Sequence, residues 1–302
     1  MVDWGEKCGC KGIRTCLSCE NGCENGCDVS QSTVTSKSPH EKPYIYCWMC
    51  NEAYQQTESF NDKSLVTSTC EHSGNGLEFP GVILIPEFVS EEEEAEIVQI
   101  IDESPWKPSQ SGRWKQDYGP KVNFKRRKLK TGSFTGLPPF IQPFVNRINS
   151  HPGLDDFVPV ELCNLEYRPD RGSSIDPHRD DSWLWGERLI TINLLSGTFL
   201  DMTPVTTSDL TPVTTSDTTS AGHDPQTAPT VRIPLPARSL VVVSGAARHD
   251  WNHGICRGAI IARRLAITLR ELTETFLDGG SEETVGREVL SIAGTYNGSV
   301  VV

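Results

Sequence analysis

Five short runs of apolar residues between positions 160 and 272 constrain the fold of this chain most strongly. They are VELCNLEYR, RLITINLLSG, VRIPLP, SLVVVSG and RLAITLREL. Each run is rich in Val, Ile or Leu and is bounded by turn-forming residues, a pattern typical of short strands in a β-sandwich or barrel. The sequence therefore predicts an α+β fold that is mainly β.

Two helices are expected to flank these strands. Upstream, GVILIPEF reads as a further strand, and Ser90 with Glu93 forms a capping box at the start of EEEEAEIVQIIDE. A second helix is predicted in PPFIQPFVNRINS. Globular character thus begins at about residue 76, and we place the main domain at 76–275.

The regions outside this domain differ in composition. Nine of the eleven cysteines lie in the first 70 residues, where apolar residues are few, so residues 1–75 are predicted to be a small cysteine-rich module. The tandem repeat TPVTTSDLTPVTTSD predicts a flexible surface insertion at 201–230. Residues 276–302 are assigned to a C-terminal tail.

Charge and hydropathy narrow the classes of function. No run of about eighteen apolar residues exists, so no membrane span is expected. The formal net charge of −12 argues against broad electrostatic binding of nucleic acid. One segment, GRWKQDYGPKVNFKRRKLK, nevertheless has eight Lys or Arg against one Asp, and is either a substrate lid or a solvated charged face. The start of the sequence does not resemble a secretion signal, and we therefore predict that the protein is located in the cytoplasm and nucleus.

The segment DPHRDD predicts a metal site. In an extended chain alternate side chains share one face, so His178 and Asp180 can bind one ion. A third ligand is expected from ARHDWNHGI, which offers His249 and His253. Two histidines and one carboxylate form the facial triad of non-haem Fe(II) oxygenases, although a zinc hydrolase uses the same set.

Two arginines in ARRLAITLR distinguish these two readings. Arg264 and Arg270 are separated by an even number of residues, so both point to the same side of one strand. Two guanidinium groups in a buried sheet are costly unless an anion meets them. Because Arg binds carboxylates in a bidentate manner, the pair favours a dicarboxylic cosubstrate such as 2-oxoglutarate.

Together, HRD, HGI and RLAITLR resemble the motifs of the AlkB family of Fe(II)/2-oxoglutarate-dependent dioxygenases. The segments CGCKGIRTCLSC, DYGPKVNFKRRKLK and DPHRDDSWLWGERLITINLLS extend the resemblance over most of the chain outside the insertion and the last thirty residues. The resemblance implies a double-stranded β-helix (jelly-roll) core with flanking helices. It also implies that His178, Asp180 and His253 bind the iron.

The resemblance assigns cosubstrate contacts as well. Arg264 would hold the distal carboxylate of 2-oxoglutarate, and Arg270 the end nearest the iron. Asn164 and Tyr167, in CNLEYRP, lie where the family has polar contacts to the cosubstrate.

The activity implied by the resemblance is oxidative demethylation that uses Fe(II), 2-oxoglutarate and O2 and releases formaldehyde. The implied substrates are methylated lysine on a protein of the actin type and 6-methyladenine in DNA. Two alternatives stay open: a non-catalytic scaffold that recruits partners through the cysteine-rich module and basic segment, and a zinc hydrolase.

The cysteine spacings predict a second kind of metal site. Thiolates separated by one or two residues match the ligand spacing of structural zinc, with iron–sulfur clusters and free thiols as alternatives. The candidate zinc ligands are Cys8, Cys10, Cys16 and Cys19, although the spacings do not determine which four residues bind the ion. Cys47 and Cys50 have similar spacing, and His40 or His72 is a possible substitute for one cysteine.

Overall fold

The structure is a computed structural model, and it describes residues 9–10, 16–22, 42–55, 70–72, 74–205 and 229–301. Within these ranges the secondary structure is mainly β-strand. None of the helices in the described ranges is long and apolar enough to cross a membrane.

The elements are numbered along the chain. The strands are β1 (Tyr44–Cys47), β2 (Glu52–Gln55), β3 (Leu77–Glu78), β4 (Val82–Ile85), β5 (Lys107–Pro108), β6 (Trp114–Tyr118), β7 (Lys121–Asn123), β8 (Lys128–Lys130), β9 (Glu161–Tyr167), β10 (Ile175–His178), β11 (Trp185–Leu194), β12 (Thr198–Pro204), β13 (Val231–Leu235), β14 (Ser239–Val243), β15 (Trp251–Ile255) and β16 (Arg264–Leu272). The α-helices are α1 (Leu17–Gly22), α2 (Glu91–Glu103), α3 (Gln142–Ile148), α4 (Gly245–His249) and α5 (Glu283–Ala293).

Two large sheets form the body of the protein. Sheet I has the strand order β10-β15-β12-β13-β1-β2-β3, and sheet II the order β4-β14-β11-β16-β9-β6-β5. Within these sheets the strands pair antiparallel, except that β1 runs parallel to β13. Strands β7 and β8 form a separate hairpin. This arrangement is consistent with the predicted double-stranded β-helix.

Sheet II is buried on both faces. In β14, Val241 and Val243 join a core cluster that also contains Met202 and Ile233 of sheet I. Their neighbours Leu240 and Val242 join the other cluster, which also contains residues of α2, α3 and α5. This alternation follows from the two-residue period of a strand. One core therefore lies between the sheets, and the other lies between sheet II and the helices.

The predicted strands and flanking helices are confirmed. All five apolar runs form strands, as does GVILIPEF, and both predicted helices are present. At the start of α2 the Ser90 hydroxyl accepts from the Glu93 amide at 3.1 Å, and the Glu93 carboxylate accepts from the Ser90 amide at 2.9 Å. The capping box therefore forms as predicted.

The predicted insertion at 201–230 was placed too early. Residues 201–204 continue β12, where Asp201 pairs with Arg232 of β13 across the ladder and their side chains form an ion pair at 2.8 Å. Residues 206–228, which include most of the first copy of the repeat and all of the second, lie outside the described residues. The polar composition obscured the strand because every second side chain of β12 faces away from the core.

The two terminal regions both join the main domain. Helix α5, inside the segment assigned to a tail, buries Val289 and Ala293 in the core beneath sheet II. In the segment assigned to a cysteine-rich module, β1 and β2 extend sheet I, and Tyr46 is only 2% exposed. The proposed boundaries at 75 and 275 therefore do not coincide with the edges of the sheet and core.

Candidate active site

His178 and His253 lie opposite each other at one edge of sheet I. His178 ends β10, His253 is the middle residue of β15, and the two are direct partners in the antiparallel ladder. Their imidazole ring centres are 4.4 Å apart. Strand pairing thus brings together two side chains that are far apart in the sequence.

Asp180 completes this group. One potential ligand atom from each of His178, Asp180 and His253 lies within 4.8 Å of the other two. His178 Nδ1 lies 2.9 Å from the carbonyl oxygen of Asp176, to which it can only donate, and this leaves Nε2 available as a metal ligand. Nε2 lies 3.6 Å from Asp180 Oδ1. The three ligand atoms therefore lie close enough together to bind one metal ion, as a three-ligand facial site requires.

The electrostatics keep Asp180 and His253 in the protonation states that a metal ligand needs. Burial and, to a lesser extent, the neighbouring His178 together lower the pKa of His253 to about 3, so the imidazole is neutral near pH 7. Burial opposes ionisation of Asp180, but Arg270 and the two histidines outweigh it and hold the pKa of this carboxyl well below its usual range.

Arg270 joins Asp180 to a second carboxylate. Its Nε donates to Asp180 Oδ2 at 2.6 Å, and its Nη1 donates to Glu161 Oε2 at 2.6 Å. Glu161 is the partner of Arg270 in the β9–β16 ladder. In this structure, Arg270 therefore orients the carboxylate of the triad, whereas the family resemblance assigns it to the cosubstrate.

Arg264 lies near the triad, and one of its nitrogen atoms, Nη1, has no hydrogen-bond partner among the described residues. Its guanidinium lies 4.7 Å from the centre of the Tyr167 ring, and its Nε donates to Asn193 Oδ1. The side chain is 1% exposed, and its buried Nη1 has no hydrogen-bond partner among the described residues. A buried donor without a partner is costly, so this atom marks a place for an anionic ligand.

One pocket between the two sheets contains the triad, Arg264, Arg270 and Tyr167 together. Both arginines line it, as their even spacing on β16 predicted. Much of the remaining wall is apolar, and it includes Leu165, Ile175, Leu200, Leu235 and Val241. The pocket therefore combines a metal-ligand set with cationic groups in surroundings that exclude water.

Asn164 does not line this pocket, so its predicted contact with the cosubstrate is not supported by the geometry. Leu165 and Tyr167 of β9 face the pocket. Because alternate residues of a strand point to opposite sides, Asn164 lies on the opposite face of sheet II. There its Nδ2 donates to Gln116 Oε1 at 2.9 Å, with both residues buried. Gln116 in turn donates to the carbonyl of Ile101 at the end of α2.

Replacing Asn164 with alanine is accordingly expected to affect stability and not the cosubstrate. The substitution leaves the buried Gln116 carbonyl without its donor, which costs about 1–3 kcal/mol of unfolding free energy. Urea denaturation measures this loss, and the KM for 2-oxoglutarate should stay within about twofold of wild type, far below the effect of losing a charged hydrogen bond. A large rise in that KM with unchanged stability would instead show that Asn164 contacts the cosubstrate.

His249, the alternative third ligand, lies elsewhere. Its Nε2 is 3.1 Å from Glu187 Oε2, and its side chain is 46% exposed. It belongs to none of the possible metal-binding groups among the described residues. The geometry therefore favours His253.

The predicted zinc ligands fall partly within the described residues. Cys10, Cys16 and Cys19 have their sulfurs within 4.8 Å of one another, and Cys16 Sγ lies 3.7 Å from Cys19 Sγ. Cys8 lies outside the described residues. A second group consists of Cys47, Cys50, Cys70 and His72.

Two residues of the site were missed by sequence reasoning. Asn193 holds Arg264, and it is one of two polar residues, with Thr191, in the otherwise apolar run LITINLL, which was a usable signal. Glu161 holds Arg270, but its role depends on the register between β9 and β16, which a single sequence does not reveal.

Comparison with family models gives no match, whereas comparison with individual proteins and solved structures does. The chain is 47% identical over 311 residues to alpha-ketoglutarate-dependent dioxygenase alkB homolog 4 of Homo sapiens, covering 98% of this chain and 96% of that protein. It is 35% identical to the DNA N6-methyl adenine demethylase of Caenorhabditis elegans, covering 95% and 94%. The solved structure of OsALKBH1 covers 64% of this chain and 99% of its own, with a TM-score of 0.42 and 11% identity.

These relatives define a 2-oxoglutarate-dependent dioxygenase, a class of enzyme that uses Fe(II), 2-oxoglutarate and O2. Within that class the chain belongs to the AlkB family. The resemblance found in the sequence motifs is thereby confirmed, and it is strong toward AlkB homologue 4.

Proposed function

We propose that this dioxygenase removes N-methyl groups, with His178, Asp180 and His253 as the ligands of ferrous iron. The main support for this proposal is that the triad and the unpartnered donor of Arg264 lie in one pocket. Two imidazoles and one carboxylate leave three positions open for cosubstrate and oxygen. A scaffold protein would have no use for either feature.

We further propose that Arg264 and Tyr167 bind the distal carboxylate of 2-oxoglutarate. Arg264 lies next to Tyr167 in the β9–β16 ladder, and Asn193 fixes its orientation from β11. Burial without a carboxylate partner lowers the pKa of Arg264, and a bound anion would relieve this cost. The buried Nη1 is the donor that such an anion would accept from. A zinc hydrolase would leave this donor without a function.

When bound, iron with 2-oxoglutarate and O2 supplies the oxidation of an N-methyl group to hydroxymethyl, which leaves as formaldehyde, while the cosubstrate becomes succinate and carbon dioxide. The residues of the chain orient and enclose this chemistry. Arg270 keeps Asp180 ionised and fixed in direction through its second contact to Glu161. The apolar walls contributed by both sheets limit access of water.

For the substrate we propose 6-methyladenine in DNA. The relative from Caenorhabditis elegans is named for that activity and aligns over nearly the whole chain. The β7–β8 hairpin adds a cationic surface on an acidic protein: Lys121, Lys125, Arg126, Arg127, Lys128 and Lys130 are all exposed. The exposed Phe124 within it provides a ring on which a base can stack.

Methylated lysine on a protein of the actin type is the second candidate. It is favoured by the net charge of −12, since duplex DNA is repelled by the protein away from the hairpin. A DNA substrate agrees with the proposed nuclear location, and a protein substrate of the actin type agrees with the proposed cytoplasmic location.

One assay tests these proposals together. The purified full chain is loaded anaerobically with Fe(II) and exposed to O2 with 2-oxoglutarate, and succinate and formaldehyde are measured with a methyladenine oligonucleotide or a methyl-lysine peptide. With the oligonucleotide we expect one formaldehyde to be released for each succinate formed. Formaldehyde with the peptide alone would favour the protein substrate. Formaldehyde with neither, despite bound iron, would favour the scaffold, and peptide hydrolysis without O2 would favour zinc hydrolysis.

The hairpin gives a prediction specific to DNA. The triple variant Lys125→Glu, Arg126→Glu and Lys128→Glu is expected to raise the KM for the oligonucleotide by about tenfold or more at 0.15 M salt, because phosphate contacts are lost. The slope of log KM against log salt should become shallower by about three. Kinetics across a salt series measure both quantities.

Two controls accompany this variant. The KM for 2-oxoglutarate should not change, and Arg287→Glu, which alters an exposed cation on α5, should leave DNA kinetics near wild type. An unaltered salt slope in the triple variant would show that the hairpin does not contact DNA.

We also propose zinc at the N-terminal thiols Cys10, Cys16 and Cys19, with Cys8 as the fourth predicted ligand. The proposal is supported by the 3.7 Å separation of two of the sulfurs and by the spacing of the cysteines.

A further inference from the structure

A second group of potential metal ligands begins at the turn between β1 and β2. Cys47 is the last residue of β1, and Cys50 precedes β2 by two positions. The turn is tight: the Asn51 amide donates to the carbonyl of Cys47 at 2.9 Å, and Asn51 has a φ of 61°. A two-residue separation at such a turn allows both sulfurs to approach one point.

The chain just before β3 supplies two further groups. Cys70 Sγ lies 3.9 Å from Cys47 Sγ. The His72 imidazole stacks on the Tyr54 ring, with ring centres 3.9 Å apart and planes inclined by 15°. Tyr54 is itself fixed, because its hydroxyl donates to Glu52 Oε2 at 2.6 Å. Strand β2 therefore holds the imidazole against the cysteine turn.

The four groups have the spacing of a closed tetrahedral site. One ligand atom from each of Cys47, Cys50, Cys70 and His72 lies within 4.8 Å of the other three. Zinc–sulfur bonds of about 2.3 Å place tetrahedral sulfurs about 3.8 Å apart. The separation of 3.9 Å between Cys47 and Cys70 matches this value, whereas a disulfide requires about 2.05 Å.

We propose that Cys47, Cys50, Cys70 and His72 bind a structural zinc ion. Three thiolates and one imidazole are a complete zinc ligand set, and this set leaves no open position for a substrate. Carboxylate-preferring ions such as Mg²⁺ and Ca²⁺ do not suit it. The site is distinct from the iron triad and from the thiols at Cys10, Cys16 and Cys19, and it does not depend on the proposed demethylase activity.

The location gives the ion a structural task. Strands β1, β2 and β3 form one edge of sheet I, and the strands with the iron ligands form the other. Tyr46 and Ala53 bury this hairpin in the core between the sheets, and the Tyr46 hydroxyl donates to the carbonyl of Val82 at 2.9 Å. Zinc would join the β1–β2 turn to the chain before β3 and so hold the edge closed. Metal binding of this kind contributes directly to folding.

Protection of cysteines in the wild-type full chain tests the site without any substitution. Cys70 and Cys256 are both exposed, so N-ethylmaleimide can reach both if neither is metal-bound. We expect Cys256 to be alkylated at once and Cys70 to be protected until a strong zinc chelator is added, as followed by peptide mass spectrometry. Equal alkylation of the two cysteines before and after chelation would overturn the proposal.

Metal analysis of variants tests the ligand set. Cys50→Ser and His72→Ala are expected to contain about one zinc per chain less than wild type, whereas the matched control Cys256→Ser loses none. His72→Cys should restore zinc, because four thiolates also form a structural site. Unchanged zinc in Cys50→Ser, or loss of iron in place of zinc, would contradict the assignment. If the variants are insoluble, the alkylation result on the wild-type chain decides.

Discussion

Replacing His253 with alanine is expected to abolish iron binding and to lower turnover by more than about a hundredfold. Loss of a residue that only orients a metal ligand already costs about ten- to a hundredfold, and loss of a ligand costs more. His253 is the central residue of β15 and is kept neutral by burial, so no proton has to leave it when the metal binds near pH 7. Iron content and formaldehyde release of the purified variant measure the two effects.

His249→Ala is the matched control for that variant. It removes an imidazole four positions earlier that pairs with Glu187 and is largely accessible to solvent. We expect iron content and turnover within about twofold of wild type, as for an ordinary surface substitution. Circular dichroism should show both variants folded. The reverse result, with iron lost from His249→Ala and kept in His253→Ala, would exchange the two assignments.

The second large effect is expected at Arg264. Arg264→Leu replaces the guanidinium with an apolar group of smaller volume, and it should raise the KM for 2-oxoglutarate by about a hundredfold. The charge-assisted hydrogen bond from Nη1 to the carboxylate is lost, and a loss of up to about 3 kcal/mol corresponds to about a hundredfold. Iron binding should persist, because none of the triad residues contacts Arg264 through a hydrogen bond in the described structure. Initial rates over a range of cosubstrate concentrations give the KM.

Two comparisons make this result specific. Arg264→Lys keeps the charge but not the planar fork, so its KM should lie between those of wild type and Arg264→Leu. Arg263→Leu alters the neighbouring arginine, which pairs with Glu166 and Asp102 outside the pocket, and should leave the KM near wild type. If Arg264→Leu and Arg263→Leu have the same KM for the cosubstrate, Arg264 is not its anchor.

The strands of the core were predictable because alternation and apolar composition are local properties of the sequence. Helix α5 was not, since Gly286 interrupts its pattern and lowers its intrinsic propensity. The structure explains this glycine: a side chain there would collide with the carbonyl of Phe276. Such a close approach between segments is a tertiary property, and the local sequence does not encode it.

The site was predictable to the extent that it depends on spacing. His178 with Asp180 and Arg264 with Arg270 are even-numbered pairs, and each pair faces one pocket. Asn164 and Tyr167 are three residues apart, and this odd spacing already indicated opposite faces of β9. The pairing of Arg270 with Glu161, and of His72 with the cysteine turn, depends on strand register and loop approach, which alternation does not determine.

His178 and Arg264 line the pocket from two strands that differ in the number of strands paired with them. Among the strands that the structure describes, β10, which ends in His178, pairs only with β15, while β16, which begins with Arg264, is enclosed by β11 and β9. Amide hydrogen exchange should therefore be fast along β10 and slow along β16, because opening β16 requires disruption of two ladders. Arg264, the proposed anchor of the cosubstrate carboxylate, thus lies in a strand that we expect to be rigid before any ligand binds, whereas we expect the strand that carries His178 to adjust when a metal ion binds.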